Sequence, residues 1–431
     1  MAARLRGDGF ASSFCCIITN RCRADRKCVV KQPSTASLTG VKQSTQAKYV
    51  FRSRAQAQPG IRYLSQPNDP ALRVNAICPY YTMFPLGFPF SRLHRAWKGE
   101  RVLDPFCGRG TTNFAARLRG LESVGVDSNP VAAAIAAAKL VNVRAGQVTR
   151  LAQSVLSARR EPNNVPQGLF WDLCFERSTL RELCKMREHF LERCGTQTEM
   201  ALRALILGIL HGPRMKGPST YLSNQMPRSY ATKPGPAIGF WKARGIRPCR
   251  VDVVDAIHRR AKYVFGKAPA PTPGRIYLAD SRYLDFPNAG GPFDWVVTSP
   301  PYYGMRSYWP DQWLRNWFLG GPEDVEYRHD HQVSHRSEAG FIDNLARVWR
   351  EVASGCNPGA RMIIRFGAIP SSRKDPAALL KRSLFEAGCG WRVLTIRDAG
   401  RASWGKRQSD QFNATTGTAV DEIDLYAVLE G

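Results

Sequence analysis

Two stretches of this chain, residues 75–145 and 275–431, alternate short β-branched apolar runs with longer segments whose apolar residues recur at helical spacing. Val102-Leu103 is a short strand ending at Asp104, and Phe114, Ala115 and Leu118 mark the helix opened by Thr111-Thr112. Ser123–Asp127 reads as a second strand. Asn129-Pro130 then starts an alanine-rich helix reaching Leu140, with proline in the first turn where its missing N–H costs nothing. A third strand is due within a few residues, because connections of this kind are short. The next candidate is Arg275–Asp280, followed by Phe293–Thr298. A helix over Phe341–Val352, a strand over Arg361–Phe366, a helix over Ala377–Ala387 and strands over Trp391–Ile396 and Glu422–Leu429 complete the pattern. Alternating strands and helices predict an α/β, Rossmann-like doubly wound sheet. A large helical and basic insertion separates its second and third strands.

The insertion, residues 150–270, has two characters. Residues 172–211 read as paired amphipathic helices, with Leu180, Leu183, Met186 and Phe190, then Leu202, Leu205 and Leu210. Residues 212–250 are punctuated by Pro and Gly and mix bases with aromatics, among them Arg214, Tyr221, Arg228, Tyr230, Phe240, Trp241 and Arg244. Between 211 and 275 the acids are Asp252 and Asp255 alone, against thirteen Lys and Arg. Such a mixture suits phosphate and base contacts together. A solvated loop is the plain alternative, but it gives the aromatics nothing to cover. Arg214, Arg228 and Arg244 are therefore candidate nucleic-acid contacts.

Net charge sharpens that choice. Lys and Arg number 62 against 35 Asp and Glu, a formal +27, so a polyanion is the leading partner and a membrane surface the second. No apolar run approaches the ~18 residues of a membrane span. The 12 cysteines include no Cys-x-x-Cys pair, which favours buried thiols in a reducing compartment over disulfides or zinc. His329, His331 and His335 lie in a loop without a ligand pattern, and no metal is expected. Residues 1–60 are polar and basic, with acids only at Asp8 and Asp25, and read as a disordered arm; an organellar transit peptide is the second reading.

The chemistry concentrates at two strand ends. Asp104-Pro105-Phe106-Cys107-Gly108-Arg109-Gly110 is a tight loop into a helix N-terminus, where glycines admit a bulky ligand close to the backbone. Asp127 ends the next strand about twenty residues on, the spacing at which a Rossmann-like site sets an acid on ribose hydroxyls. Phe293–Thr298 runs into Ser299-Pro300-Pro301-Tyr302, where two prolines stop the strand and predict a rigid, exposed turn. That turn offers the Ser299 hydroxyl, free carbonyls and the Tyr302 ring.

Asp-Pro-Phe-Cys-Gly-x-Gly-Thr-Thr followed by Thr-Ser-Pro-Pro-Tyr resembles the S-adenosylmethionine-dependent amino-methyltransferases of DNA, the N4-cytosine/N6-adenine class. The resemblance covers roughly residues 75–430 and is sharp only at these two blocks. It implies S-adenosylmethionine bound by Asp104, Phe106, Gly108, Gly110, Asp127 and Asp280, with Ser299, Pro300, Pro301 and Tyr302 catalytic. Cys107 is then a packing residue, since methylating an exocyclic amine needs no covalent adduct. Serine before Pro-Pro-Tyr favours cytosine N4 over adenine N6 in double-stranded DNA. An RNA base as acceptor, or a binding protein with an inactive methyltransferase fold, stays open. The resemblance also implies a target-recognition role for the insertion and places the Tyr80–Phe84 run beside the cofactor; covering the sheet edge is an equal reading of those aromatics. Arg306, on the loop after Tyr303, is a further nucleic-acid candidate. A cytoplasmic, nucleoid-associated prokaryotic setting is expected, with a companion restriction endonuclease left open.

Overall fold

The computed structural model describes residues 18–19, 53–56, 69–80, 84–158, 161–212, 221–224, 233–303, 310–326, 337–367, 374–401 and 421–431. Its strands are β1 (Ile18–Thr19), β2 (Arg101–Asp104), β3 (Glu122–Asp127), β4 (Gly274–Leu278), β5 (Phe293–Thr298), β6 (Cys356–Gly367), β7 (Trp391–Arg401) and β8 (Asp421–Leu429). They form one sheet in the order β1-β4-β3-β2-β5-β6-β8-β7. From β4 to β6 all pairings are parallel, and β8 enters antiparallel between β6 and β7. The expected Rossmann-like, doubly wound α/β fold is present, with an antiparallel flap of two strands at one edge.

Both faces of the sheet are covered, as alternation along its strands requires. Val102, Trp295 and Val297 face one core with the helices α2 (Thr111–Leu118) and α3 (Pro130–Ala138). Leu103 and Val296 face the other, built on α11 (Glu338–Ser354) and α12 (Pro376–Ala387). Asn129 caps α3 by accepting the Val131 N–H at 2.9 Å, with Pro130 first in the helix.

The insertion between β3 and β4 holds α4 (Ala145–Ala158), α5 (Leu169–Cys174), α6 (Arg177–Glu192), α7 (Gln197–Ile209), α8 (Pro234–Ala243) and α9 (Val253–Phe265). α6 and α7 are the expected helical pair, and α7 starts with a capping box between Thr196 and Glu199. α4 and α9 are additions to the sequence reading. α9 buries Val253, Ala256, Ile257, Ala261 and Val264, a helical stripe that opens at the Asp252 cap. These helices pack into the same core as α2 and α3, so the insertion continues that layer of the sheet's cover.

Of the N-terminal arm, β1 pairs antiparallel with β4 and Arg54 forms a bridge to Trp97; two residues of a segment read as unstructured thus extend the sheet edge. The remaining expectation of disorder falls outside the described residues. A short helix, α1 (Gly87–Arg92), precedes β2, and α10 (Trp313–Phe318) lies between β5 and α11 in sequence. Among the described residues no helix is long and apolar enough to cross a membrane. Their cysteines are all free thiols, and no cluster of His, Cys, Asp and Glu could hold a metal.

Candidate active site at the switch point

β2 lies between β3 and β5; α2, which follows β2, packs on one face, and α11, which leads into β6, packs on the other. This is the position at which an open α/β sheet has a crevice at its carboxyl edge. Val102 pairs with Trp295 and Leu103 with Val296, so Asp104 and Thr298 end neighbouring strands. Two loops far apart in sequence therefore start side by side.

They are also bonded. The Thr298 hydroxyl donates to Asp104 Oδ1 at 2.6 Å, and the Thr112 hydroxyl donates to the Val297 carbonyl at 3.0 Å. Asp104, Thr112 and Thr298 are all fully buried. The Phe106 N–H also reaches Asp104 Oδ1, at 3.2 Å. Oδ2 is buried without a donor in hydrogen-bond geometry among the described residues. The Thr112 hydroxyl, bonded to the Val297 carbonyl, is still close enough to lower the Asp104 carboxyl. Burial pushes the Asp104 carboxyl up to about 6, against the opposing pull of Thr298, Thr112 and the Phe106 N–H. A buried carboxylate with one free oxygen is an acceptor held ready for a cationic or donor group.

Asp127 organises the other side of the crevice. Its Oδ2 accepts the Gly108 N–H and its Oδ1 the Asn129 N–H, at 2.9 and 2.8 Å. The first bond draws the glycine loop to the tip of β3, and each oxygen keeps a further lone pair. Burial also lifts this carboxyl to about 6, opposed by those two N–H groups. Gly108 has φ of +50° and open space where a Cβ would stand, so a ligand can approach its backbone. Gly110, at φ of +71°, is the N-cap of α2; a Cβ there would meet Ala136 Cβ at 2.7 Å. The two glycines do different work: one opens the loop and the other closes the packing of α2 on α3.

Phe106 is half-buried and meets Trp349 edge-on at 6.0 Å. The Cys107 thiol is buried and pushed well above its ordinary range by burial and by Asp127 and Asp104, so it is a packing group and no nucleophile. Asp280 follows β4 and is held by Arg282, whose Nε lies 3.0 Å from Oδ1 and 3.1 Å from Oδ2. Beside it the Ser281 hydroxyl donates to the Pro105 carbonyl at 2.6 Å, tying the tips of β4 and β2 together. Tyr80 accepts from Asn129 Nδ2 at 3.2 Å, which sets that ring against the end of β3.

At the second loop one expectation needs correction. Pro300 is buried and Pro301 half-buried, so the turn is rigid but not exposed. The cause is its place between neighbouring strands, which prolines alone do not encode. Ser299 is half-buried, and its hydroxyl makes no hydrogen bond among the described residues. Tyr302 meets Phe366 edge-on at 5.6 Å and donates its hydroxyl to Glu422 Oε1 at 2.6 Å.

Arg214, Arg228 and Arg306 lie outside the described residues, as do His329, His331 and His335. Arg244 is exposed after α8, with its guanidinium 4.3 Å from the Phe240 ring centroid; Lys242 and Arg247 are exposed beside it. Trp241 departs from its reading as a recognition aromatic. It is fully buried with Ala237 on the apolar side of α8, against Phe170 of α5.

Sequence reasoning missed Thr298, Ser281 and Glu422 as parts of this site. Thr298 was within the quoted motif; Glu422 carried no local signal.

No family model and no curated protein matches the chain. Among solved structures it is similar to the rRNA methyltransferase aviRa from Streptomyces viridochromogenes, at 16% identity and TM-score 0.28, over 82% of this chain and 87% of that one. It is also similar to TrmN from Thermus thermophilus, at 12% identity and TM-score 0.31, over 83% and 53% of the two chains. A SAM-dependent methyltransferase from Methanosarcina mazei gives 10% identity and TM-score 0.29, over 77% and 92%. Likenesses this distant carry no argument about chemistry, and the strand order and the two bonded loops stand without them.

Proposed function

We propose that the chain is an S-adenosylmethionine-dependent methyltransferase of nucleic acid, acting on an exocyclic base amine, with cytosine N4 of double-stranded DNA the favoured acceptor. The observation that carries this reading is the hydrogen bond from Thr298 to Asp104, which joins the ligand loop to the Ser-Pro-Pro-Tyr turn at the switch point. A cofactor loop and a reaction turn need that adjacency; two unrelated loops do not.

The residues fit the cofactor. The free oxygen of Asp104 suits its ammonium, the spare lone pairs of Asp127 its ribose hydroxyls, and the open backbone at Gly108 its bulk. Bound, S-adenosylmethionine would supply an electrophilic methyl on its sulfonium. The chain's own contribution lies at the turn. An exocyclic amine is a poor nucleophile because its lone pair is delocalised into the ring. Ser299 Oγ and the Pro300 carbonyl can accept both amine hydrogens, which localises that lone pair. Pro300 is packed in place, so these acceptors need little reorganisation as charge develops. A duplex base has to be extruded first, costing a few kcal/mol, and the Tyr302 ring offers a face that recovers part of it. Lys242, Arg244 and Arg247 supply cations for phosphates, with the described part of the insertion as the recognition region.

Serine at 299 supports cytosine over adenine. An RNA base is the second acceptor reading, supported by a charge of +27 that does not distinguish polymers. Isothermal titration with S-adenosylmethionine tests the site: binding with a dissociation constant in the micromolar range is expected, and none would leave an inactive fold.

A further inference from the structure

The network behind Tyr302 reaches beyond the two motifs. Its hydroxyl donates to Glu422 Oε1 at 2.6 Å, across 120 residues of chain. Glu422 is only 2% exposed and sits near the start of β8, opposite Gly367 at the end of β6. Two residues along each strand, Arg365 holds Asp424 in a fork, Nε to Oδ1 at 2.8 Å and Nη2 to Oδ2 at 3.0 Å. Arg92 of α1 adds a third bond to Asp424 at 3.1 Å. The Arg365 guanidinium lies 4.0 Å from the Phe88 ring centroid; burial opposes its charge, and the Asp424 hydrogen bonds and nearby acids together outweigh burial. The buried Asp424 is thus balanced by a fixed guanidinium, two residues along the strand from Glu422.

Stacking on a base needs a ring face and no hydroxyl. The hydroxyl here has another effect. Phe366 meets the Tyr302 ring edge-on, at 79° between planes, and Glu422 holds the far end of that ring. Held at both places, the ring is restricted in its χ angles. We propose that Glu422 is a positioning residue for the reaction: it fixes the Tyr302 ring in the plane that receives the acceptor base. This rests on the function proposed above. Its chemistry is one of orientation, with no proton transferred and no bond made, and its benefit is the entropy of a ring ordered before the base arrives.

The alternative, that Tyr302 merely satisfies a buried carboxylate, predicts effects on folding and none on turnover per folded site. A double-mutant cycle separates the two, using the full chain and single-turnover methyl transfer normalised to sites titrated by S-adenosylmethionine. Tyr302→Phe keeps the ring and loses the bond, and is expected to slow transfer about tenfold, the worth of one charge-assisted hydrogen bond. Glu422→Ala should slow it by a similar factor, and the double variant no further. Glu422→Gln, which keeps a neutral carbonyl oxygen as acceptor, should recover part of that loss. Cofactor affinity should stay level throughout.

Additive losses, or a full rate in Tyr302→Phe, would overturn the proposal; so would a Glu422→Gln variant as slow as Glu422→Ala. Should Glu422→Ala fail to fold, Tyr302→Phe and Glu422→Gln alone still decide it. A parent chain that binds cofactor but methylates no polynucleotide removes the functional reading and this inference together. A parent that methylates while the cycle is additive removes the inference only.

Discussion

Replacing Thr298 by valine isolates the bond that joins the two loops. Valine keeps the branched shape, so the chief loss is one hydroxyl at 2.6 Å from a fully buried carboxylate. A hydrogen bond to a charged group contributes about 1.5–3 kcal/mol, and 1.36 kcal/mol corresponds to one pKa unit. Asp104 already stands at about 6 because burial outweighs its donors. Without Thr298 its pKa should climb by about one to two units, into the neutral range. The sign for binding follows. If the cofactor's ammonium needs the carboxylate, affinity is flat from the free-protein pKa up to the ammonium's own. Below the free-protein pKa, affinity falls by up to about tenfold per pH unit, since binding then has to expel a proton. The parent should therefore begin to lose affinity near pH 6, and Thr298→Val about one to two units higher. Isothermal titration between pH 5 and 9, in two buffers of different ionisation enthalpy, reads both the affinity and the proton released. A midpoint that does not move in Thr298→Val, or affinity that ignores pH in the parent, would refute the reasoning.

Four further outcomes are expected. Asp127→Asn should weaken cofactor binding by roughly 1.5–3 kcal/mol by calorimetry, through its lost charge and the slackened Gly108 N–H bond. Gly110→Ala should lower the melting temperature and impair binding, because a left-handed residue costs about 1–2 kcal/mol even before its Cβ meets Ala136 at 2.7 Å. Neutralising Arg244 and Arg247 should weaken polynucleotide binding and lower the slope of log affinity against log salt by about one for each phosphate no longer neutralised, with cofactor affinity constant. Asp104 and Asp127 should also contribute stability as pH falls from 7 toward 4, opposed by His211, whose imidazole is lowered to about 3 by burial. Burial raises both Asp104 and Asp127 to about 6, so the native state gains protons that the unfolded chain takes up only near its lower pKa. Melting curves across that range check the sign, with Asp104→Asn losing part of the effect.

How much of this was legible beforehand varied with the range of the interaction. Strands ending at Asp104, Asp127 and Thr298 could be read because apolar runs and their breakers are local. The long gap before Arg275 announced the insertion for the same reason. α4 and α9 escaped because their polar faces and the basic composition masked a helical stripe that only burial reveals. Trp241 looked like a recognition aromatic in a basic tract; its partner Phe170 lies 71 positions earlier, and no local pattern announces such a pair. Glu422 shows the same limit. Its meaning comes from antiparallel pairing of β8 with β6, which brings an ordinary strand acid under the Tyr302 hydroxyl. Thr298 stood within a quoted motif, yet its role needed the register that sets it beside Asp104.

The central claim is methyl transfer from S-adenosylmethionine to a base amine at the turn after β5. Its most direct test incubates the full chain with isotopically labelled cofactor and separate pools of double-stranded DNA and structured RNA. Digestion to nucleosides and mass spectrometry follow. The account predicts label in N4-methylcytosine from DNA, abolished in Ser299→Ala while cofactor binding persists. Label in N6-methyladenine, or in RNA alone, would overturn the acceptor and spare the chemistry; a chain that binds the cofactor yet labels no nucleoside would contradict the claim itself.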